Sequence, residues 1–321
     1  MSVGRWPARV ESLGLAIVLG LLIALFGLLT DNFVSRVTLF TIVNQMPALL
    51  IAAVGMTLVV IAGGIDLSVG SVMALAAAVI AVALTGWHVS PGLALLAGAG
   101  VGALCGALNG LVTVGFRVPS FIVTLGTLEI ARGGAYLVTD SRAVFAGGRL
   151  DAIGAPWPGL GASTAALIAL GVVVVGQFVL TRTVFGRYLV AIGTNREAVR
   201  LAGIDPRPVE LAAFTVAGAL AGVAGACHIA YLESADPNAG VGLELSAIAA
   251  VVIGGASLLG GRGSIVGTCL GVLIIAVLQA GLAQAGVSEP TKRIVTGAAI
   301  VAAVIADGWR RRRGNEALPR S

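Results

Sequence analysis

The chain has 321 residues, 58% of them apolar and 11% charged, with a mean hydropathy of +1.02 and a formal net charge of +5. Soluble domains carry charge on about a quarter of their residues, so this composition excludes a water-soluble globule and makes the bilayer the solvent. The basic excess flanks the apolar runs, where membrane topology puts it, and does not point to a nucleic-acid partner.

Arg5 and Arg9 precede the apolar run Leu13–Leu29, and Asp31-Asn32-Phe33 follows it. A secretory signal has an apolar core of roughly 7–15 residues and a small-residue cleavage site, so this longer run reads as a retained anchor. A bilayer crossing needs about 20 apolar residues. Such windows fall at 13–30, 41–62, 68–86, 92–115, 118–139, 163–180, 209–232, 245–260, 264–285 and 292–308. The expected fold is therefore all-α, a polytopic membrane protein of about ten transmembrane helices in one domain spanning 1–321.

Orientation follows from arginine. Ten crossings with a cytoplasmic segment 1–12 place Arg117, Arg182, Arg187, Arg196, Arg200, Arg207, Arg262 and the run Arg310–Arg313 inside. An odd number would expel either the basic tail 309–321 or the loop 181–208, against the positive-inside bias. The other long loop, 140–162 with Pro156 and Pro158, then faces outward.

Lipid tails are as apolar as leucine, so helices in a bilayer associate through small residues that let backbones approach. Gly98, Gly102, Gly106 and Gly110 recur every fourth residue and predict a packing seam; Gly218, Gly222 and Gly225 and the set Gly263, Gly267, Gly271 resemble it. An internal echo links Gly64-Ile65-Asp66-Leu67-Ser68, before the third window, to Gly242-Leu243-Glu244-Leu245-Ser246, before the eighth. In the ten-span topology these windows run in opposite directions, which predicts an inverted internal repeat.

Much chemistry is excluded. Lys292 is the lone lysine and lies outside any glycine loop, so the chain cannot supply the P-loop of an ATPase. His88 and His228 are far apart and form no HExxH, and no GxSxG is present. Cys105, Cys227 and Cys269 fall in apolar runs and imply neither disulfide nor metal site. No catalytic, cofactor or metal residue is assigned.

Charged and polar groups within or beside spans are the candidates for pathway or gating, since they are costly there. Asp66 and Ser68, at the Gly63-Gly64 break, read first as caps of the third helix and second as gating groups; Glu244 reads the same way. Asn44, Asn109 and Thr124 suit interhelical hydrogen bonding or solute contact, as do Gln45 and Thr127. Glu129 and Arg132, three apart, are expected to pair on one helix face. Most acids sit at span ends or beside arginine, which disfavours an ion-driven transporter.

The polar stretch before the seventh window carries a helix signature. Thr194 and Glu197 form an S/T-x-x-E capping box, and Gly203 supplies a stop. The helix between them exposes Arg196, Arg200 and Glu197 on the cytoplasmic side. It reads as a surface helix against anionic lipid or as a docking element.

With Gly64-Ile65-Asp66-Leu67-Ser68-Val69-Gly70-Ser71, Gly186-Arg187-Tyr188 running into Asn195-Arg196-Glu197-Ala198-Val199-Arg200-Leu201-Ala202-Gly203-Ile204, the block Glu244–Gly255, and Gly260-Gly261-Arg262-Gly263-Ser264, the chain resembles the permease subunits of ribose-type ABC sugar importers over roughly residues 40–308. The resemblance implies a bacterial inner-membrane protein with a second permease chain, identical or not. It also implies cytoplasmic ABC ATPase subunits that hold ATP and magnesium, and an extracytoplasmic sugar-binding protein. The segment from Thr194 and Asn195 through Arg196, Glu197, Ala198 and Arg200 to Gly203 is similar to the coupling helix of that family. The implied activity is inward passage of a monosaccharide-like solute without covalent chemistry on this chain. The rival reading is an ion-coupled secondary transporter or channel for a small polar solute; an intramembrane enzyme ranks third.

Overall fold

The computed structural model describes residues 8–316. Arg5 and Arg320 lie outside the described residues, as do the side chains of Arg9 and Arg310–Arg313, so the expected cytoplasmic termini are not described there.

Among the described residues the fold is all-α apart from one pair of two-residue strands. Helix α1 (Ala8–Leu29) leads to α2 (Arg36–Gln45) and α3 (Pro47–Ile61), then α4 (Val69–Thr85), α5 (Pro91–Phe116) and α6 (Ser120–Val138). A short strand β1 (Val144–Phe145) and a one-turn helix α7 (Asp151–Gly154) precede α8 (Thr164–Arg182), α9 (Val184–Thr194), α10 (Arg196–Leu201) and α11 (Arg207–Leu232). Strand β2 (Ser234–Ala235) pairs antiparallel with β1, and α12 (Leu243–Ile253), α13 (Ile265–Gln284) and α14 (Glu289–Glu316) complete the chain.

Five described helices, α5, α6, α8, α11 and α13, are long and apolar enough to cross a bilayer. The α2–α3 pair adds a sixth if its two parts form one span. Those two parts bend by 46° at Met46-Pro47. Proline opens α3 at the position that needs no N–H, while its ring blocks continuation of α2. Asn44 fixes the bend: its Nδ2 donates to Gly161 O at 2.9 Å and its Oδ1 accepts from Ser163 N at 2.8 Å.

The window at 245–260 does not form one continuous helix. Helix α12 has 11 residues and stops at Gly254, about 16 Å of rise, against roughly 30 Å of hydrocarbon. Glycines at positive φ end it (Gly255 at +89°, Gly260 at +85°, Gly261 at +74°), a backbone that apolar windows do not register.

Helix α3 forms the centre. Nearly every side chain on it is buried, with Ile51, Val59, Val60 and Ile61 wholly so, against α8, α11, α12 and α13. The glycine stripe of α5 lies on α11. A Cβ built on Gly102 would stand 2.2 Å from Gly218 O, one on Gly106 2.2 Å from Phe214 O, and one on Gly110 2.8 Å from Leu211 Cδ1. Gly98 meets Ile80 of α4 instead, while its own carbonyl would lie 2.5 Å from a Cβ on Gly222. Gly271 and Gly267 bring α13 equally close to Ala250 and Gly254.

Candidate functional site

Between α3 and α4 the chain is not helical over 64–68, with Asp66 and Ser68 buried and Gly64, Ile65 and Leu67 half-buried. Non-helical backbone at that depth must find partners in the protein. Helix α6 supplies them. Ser120 Oγ accepts from Ile65 N at 2.9 Å, and Thr124 Oγ1 accepts from Leu67 N at 3.0 Å. Asp66 turns back on the chain instead of capping α4: its Oδ1 accepts from Ser68 N at 2.9 Å and from Ser68 Oγ at 2.6 Å. The hydroxyl of Ser68 then accepts from Asn109 Nδ2 at 3.0 Å, and Asn109 Oδ1 accepts from Thr127 Oγ1 at 2.6 Å. One knot thus ties the break to α5 and α6. Four candidates, Asp66, Ser68, Asn109 and Thr124, meet in it.

Asn44 and Glu244 lie elsewhere. Asn44 is at the α2–α3 bend, and Glu244 opens α12, where its Oε1 accepts from Gly242 N at 3.1 Å. Nevertheless the first turn of α4, just after the first echo segment, meets Glu244 of the second. A Cβ on Gly70 would stand 2.4 Å from Gly240 O and 2.5 Å from Glu244 Oε2, so the N-terminal ends of α4 and α12 face each other. The expected Glu129–Arg132 pair does not form. The guanidinium of Arg132 reaches across to the segment before α12, donating to Pro237 O at 2.5 Å and Ala239 O at 2.7 Å, so that the carbonyls of buried Pro237 and half-buried Ala239 gain a donor.

The 194–204 segment is helical, as expected, but its cap is one residue later. Asn195, extended at φ −159°, accepts from Ala198 N at 2.9 Å through Oδ1; Thr194 ends α9 and donates to Val190 O. Position i and i+3 patterns cannot distinguish two adjacent capping residues. Gly203 at φ +83° closes α10 as foreseen: Gly203 N–H bonds Arg200 O and Ile204 N–H bonds Val199 O. Glu197 and Arg200 stay on the exposed face, 3.7 Å apart and each 62% exposed. Ala198 belongs to the first turn of that helix.

Arg196 leaves this face. Its Nε and Nη2 form a two-point contact with Glu210 of α11, at 2.7 and 3.0 Å. That carboxylate raises the proton affinity of the guanidinium above its ordinary value. Beside α10 lies a basin of about 600 Å³ with Arg117, Arg200, Asp205 and Arg207 in its wall. A second hollow, about 300 Å³, extends from Arg196 and Glu210 to Gly63 and Gly64. Glu210 and Ser120 were not legible as site residues; an acid in the first turn of a helix is ordinarily explained by the helix dipole.

Residues 38–304 match the family described as branched-chain amino acid transport system / permease component. The chain belongs to this family. It is 41% identical over 306 residues to the ribose import permease protein RbsC of Escherichia coli strain K12, covering 94% of each chain. Against RbsC of Bacillus subtilis strain 168 the identity is 37%, with 92% of each chain covered. The fructose import permease protein FrcC of Rhizobium meliloti is 35% identical, with 92% of this chain and 85% of the relative covered. No solved structure matches. The permease is therefore of the ribose-type ABC class that its motifs resemble, a multi-pass membrane protein and a transport component, not an enzyme.

Proposed function

We infer that this permease passes a monosaccharide-like solute into the cytoplasm, driven by ATP hydrolysis on a separate ABC ATPase. The observation that carries this reading is the 41% identity with a ribose import permease across 94% of both chains, joined to a capped, arginine-bearing helix held at the end of the bundle. Thr194 to Gly203 forms the docking element for the ATPase, with Glu197 and Arg200 directed outward. ATP and magnesium belong to that partner; this chain binds no cofactor. A second permease chain and an extracytoplasmic sugar-binding protein complete the importer.

Ten crossings with both termini inside remain the topology we favour. Contacts support it by sorting loops to two ends. Gly193, Ile61 and Gly261 meet at one: a Cβ on Gly193 would stand 1.9 Å from Ile61 O and 2.4 Å from Gly261 N. The β1–β2 pair and the Asn44–Gly161 bond mark the other. The first end carries Arg117, Arg187, Arg196, Arg200 and Arg262, the side the positive-inside bias assigns to the cytoplasm. The facing starts of α4 and α12 support the inverted repeat, and the knot of Asp66, Ser68, Asn109 and Thr124, with Glu244 opposite, is our candidate for pathway control.

The rival is ion-coupled transport by the chain alone. Purification separates the two: an ATPase should co-purify, and uptake into vesicles should stop when that ATPase is inactivated. Uptake by the lone chain under an ion gradient would overturn the ABC reading.

A further inference from the structure

We propose that the Arg196–Glu210 ion pair is the strut that carries movement of the ATPase-docking helix into the membrane bundle. This inference rests on the importer reading above. Among the described residues, Arg196 is the α10 side chain that hydrogen-bonds a group outside segment 195–204, and its partner stands in the first turn of α11. The contact is two-pronged. A planar guanidinium on a carboxylate fixes direction as well as distance, which a single lysine–carboxylate contact does not.

The two partners differ in setting. Arg196 is 46% exposed and Glu210 is 14% exposed, so the pair bridges from the docking surface into protein. Beneath it lies the hollow that reaches Gly63 and Gly64, lined also by Thr113, Ser120 and Phe214. Helix α10 packs through the buried Val199, and the ion pair adds a directional link from it to α11 beside that hollow. Helix α11 is well placed to receive the push. Its glycines at 218 and 222 interlock with Gly98, Gly102 and Gly106 of α5, and Gly225 sits on Met73 O of α4. Helices so closely seated move as a body. Through α5 the displacement reaches Asn109, and through Asn109 the knot at Ser68 and Asp66.

Arg196 and Glu210 are thus positioning residues for transport, touching neither solute nor nucleotide. The test uses the assembled importer in proteoliposomes, measuring solute taken up per ATP hydrolysed. Glu210→Gln and Glu210→Ala, which leave the docking helix itself unaltered, should lower that ratio about tenfold, within the ordinary range of coupling between sites, while the ATPase still co-purifies. Arg196→Lys should lower it in the same direction. The exchanged pair Arg196→Glu with Glu210→Arg should recover at least half of the lost ratio. An unchanged ratio in both Glu210 variants overturns the strut, as does an exchanged pair that assembles but couples no better than either Glu210 variant. If Glu210→Ala fails to accumulate, the near-isosteric Glu210→Gln decides alone. Failure of the importer reading has a different signature, since the unaltered chain would then show no ATP-dependent uptake at all.

Discussion

Asn109, wholly buried in the middle of the polar knot, donates to Ser68 Oγ at 3.0 Å and accepts from Thr127 Oγ1 at 2.6 Å. One amide side chain therefore joins three stretches that are remote in the chain: the α3–α4 break, α5 and α6. Its carbonyl and amino groups cannot be exchanged, because Ser68 already spends its proton on Asp66 and Thr127 can give one. Asn109→Ala should lower stability by about 1–2 kcal/mol, the scale of interhelical hydrogen bonds in membranes. A double-mutant cycle with Thr127→Val, read by unfolding in mixed detergent micelles, measures the coupling; strict additivity would deny the bond.

The α5–α11 seam can be tested with two glycines on the same helix. A Cβ at Gly102 collides with Gly218 O and approaches Gly222 N to 2.8 Å, both backbone atoms that cannot swing away. Gly102→Ala should cost about 1–3 kcal/mol, as overpacking does. Gly100 has nothing within 4 Å of the same construction, so Gly100→Ala should leave the melting temperature level or slightly higher. Equal effects at the two positions would remove the seam.

Capping at α10 makes a sharper distinction. Asn195→Ala removes the side-chain acceptor for Ala198 N and should destabilise that helix by about 1 kcal/mol. Thr194→Ala leaves the cap in place. Hydrogen exchange over 196–201 should quicken several-fold in the first variant alone.

Glu197 and Arg200 form an exposed pair whose own contribution to stability is small, as surface pairs generally are. Reversing both charges keeps the spacing of the pair and should leave the fold intact while uncoupling hydrolysis from uptake. Normal transport by Glu197→Arg with Arg200→Glu would withdraw the docking assignment.

Topology is open to labelling. With Cys105, Cys227 and Cys269 replaced, Trp157→Cys and Leu201→Cys put thiols at positions 55% and 79% exposed. A membrane-impermeant maleimide should reach the first in whole cells and the second only after the membrane is opened. Labelling of position 201 from outside would invert the assignment of sides.

Apolar windows were enough to find most of the helices, because a bilayer demands long uninterrupted apolar runs and little else satisfies it. The glycine stripe on α5 was equally plain, since its four-residue period survives without knowledge of the partner. The windows failed at 245–260 and at Pro47, where hydropathy is continuous but backbone dihedrals are not. Asn195 displaced Thr194 as the cap because both residue types can cap and only the extended backbone at 195 decides between them.

Composition and spacing alone therefore determined that the chain lives in lipid, packs through glycine and carries a capped basic helix between apolar runs. Partners distant in sequence needed the tertiary structure: Ser68 with Asn109, Arg196 with Glu210, Arg132 with the carbonyls at 237 and 239, Gly70 with Glu244. A hydrogen bond or close contact between residues so far apart depends on how helices are seated against one another, and that seating leaves no periodic trace along the chain.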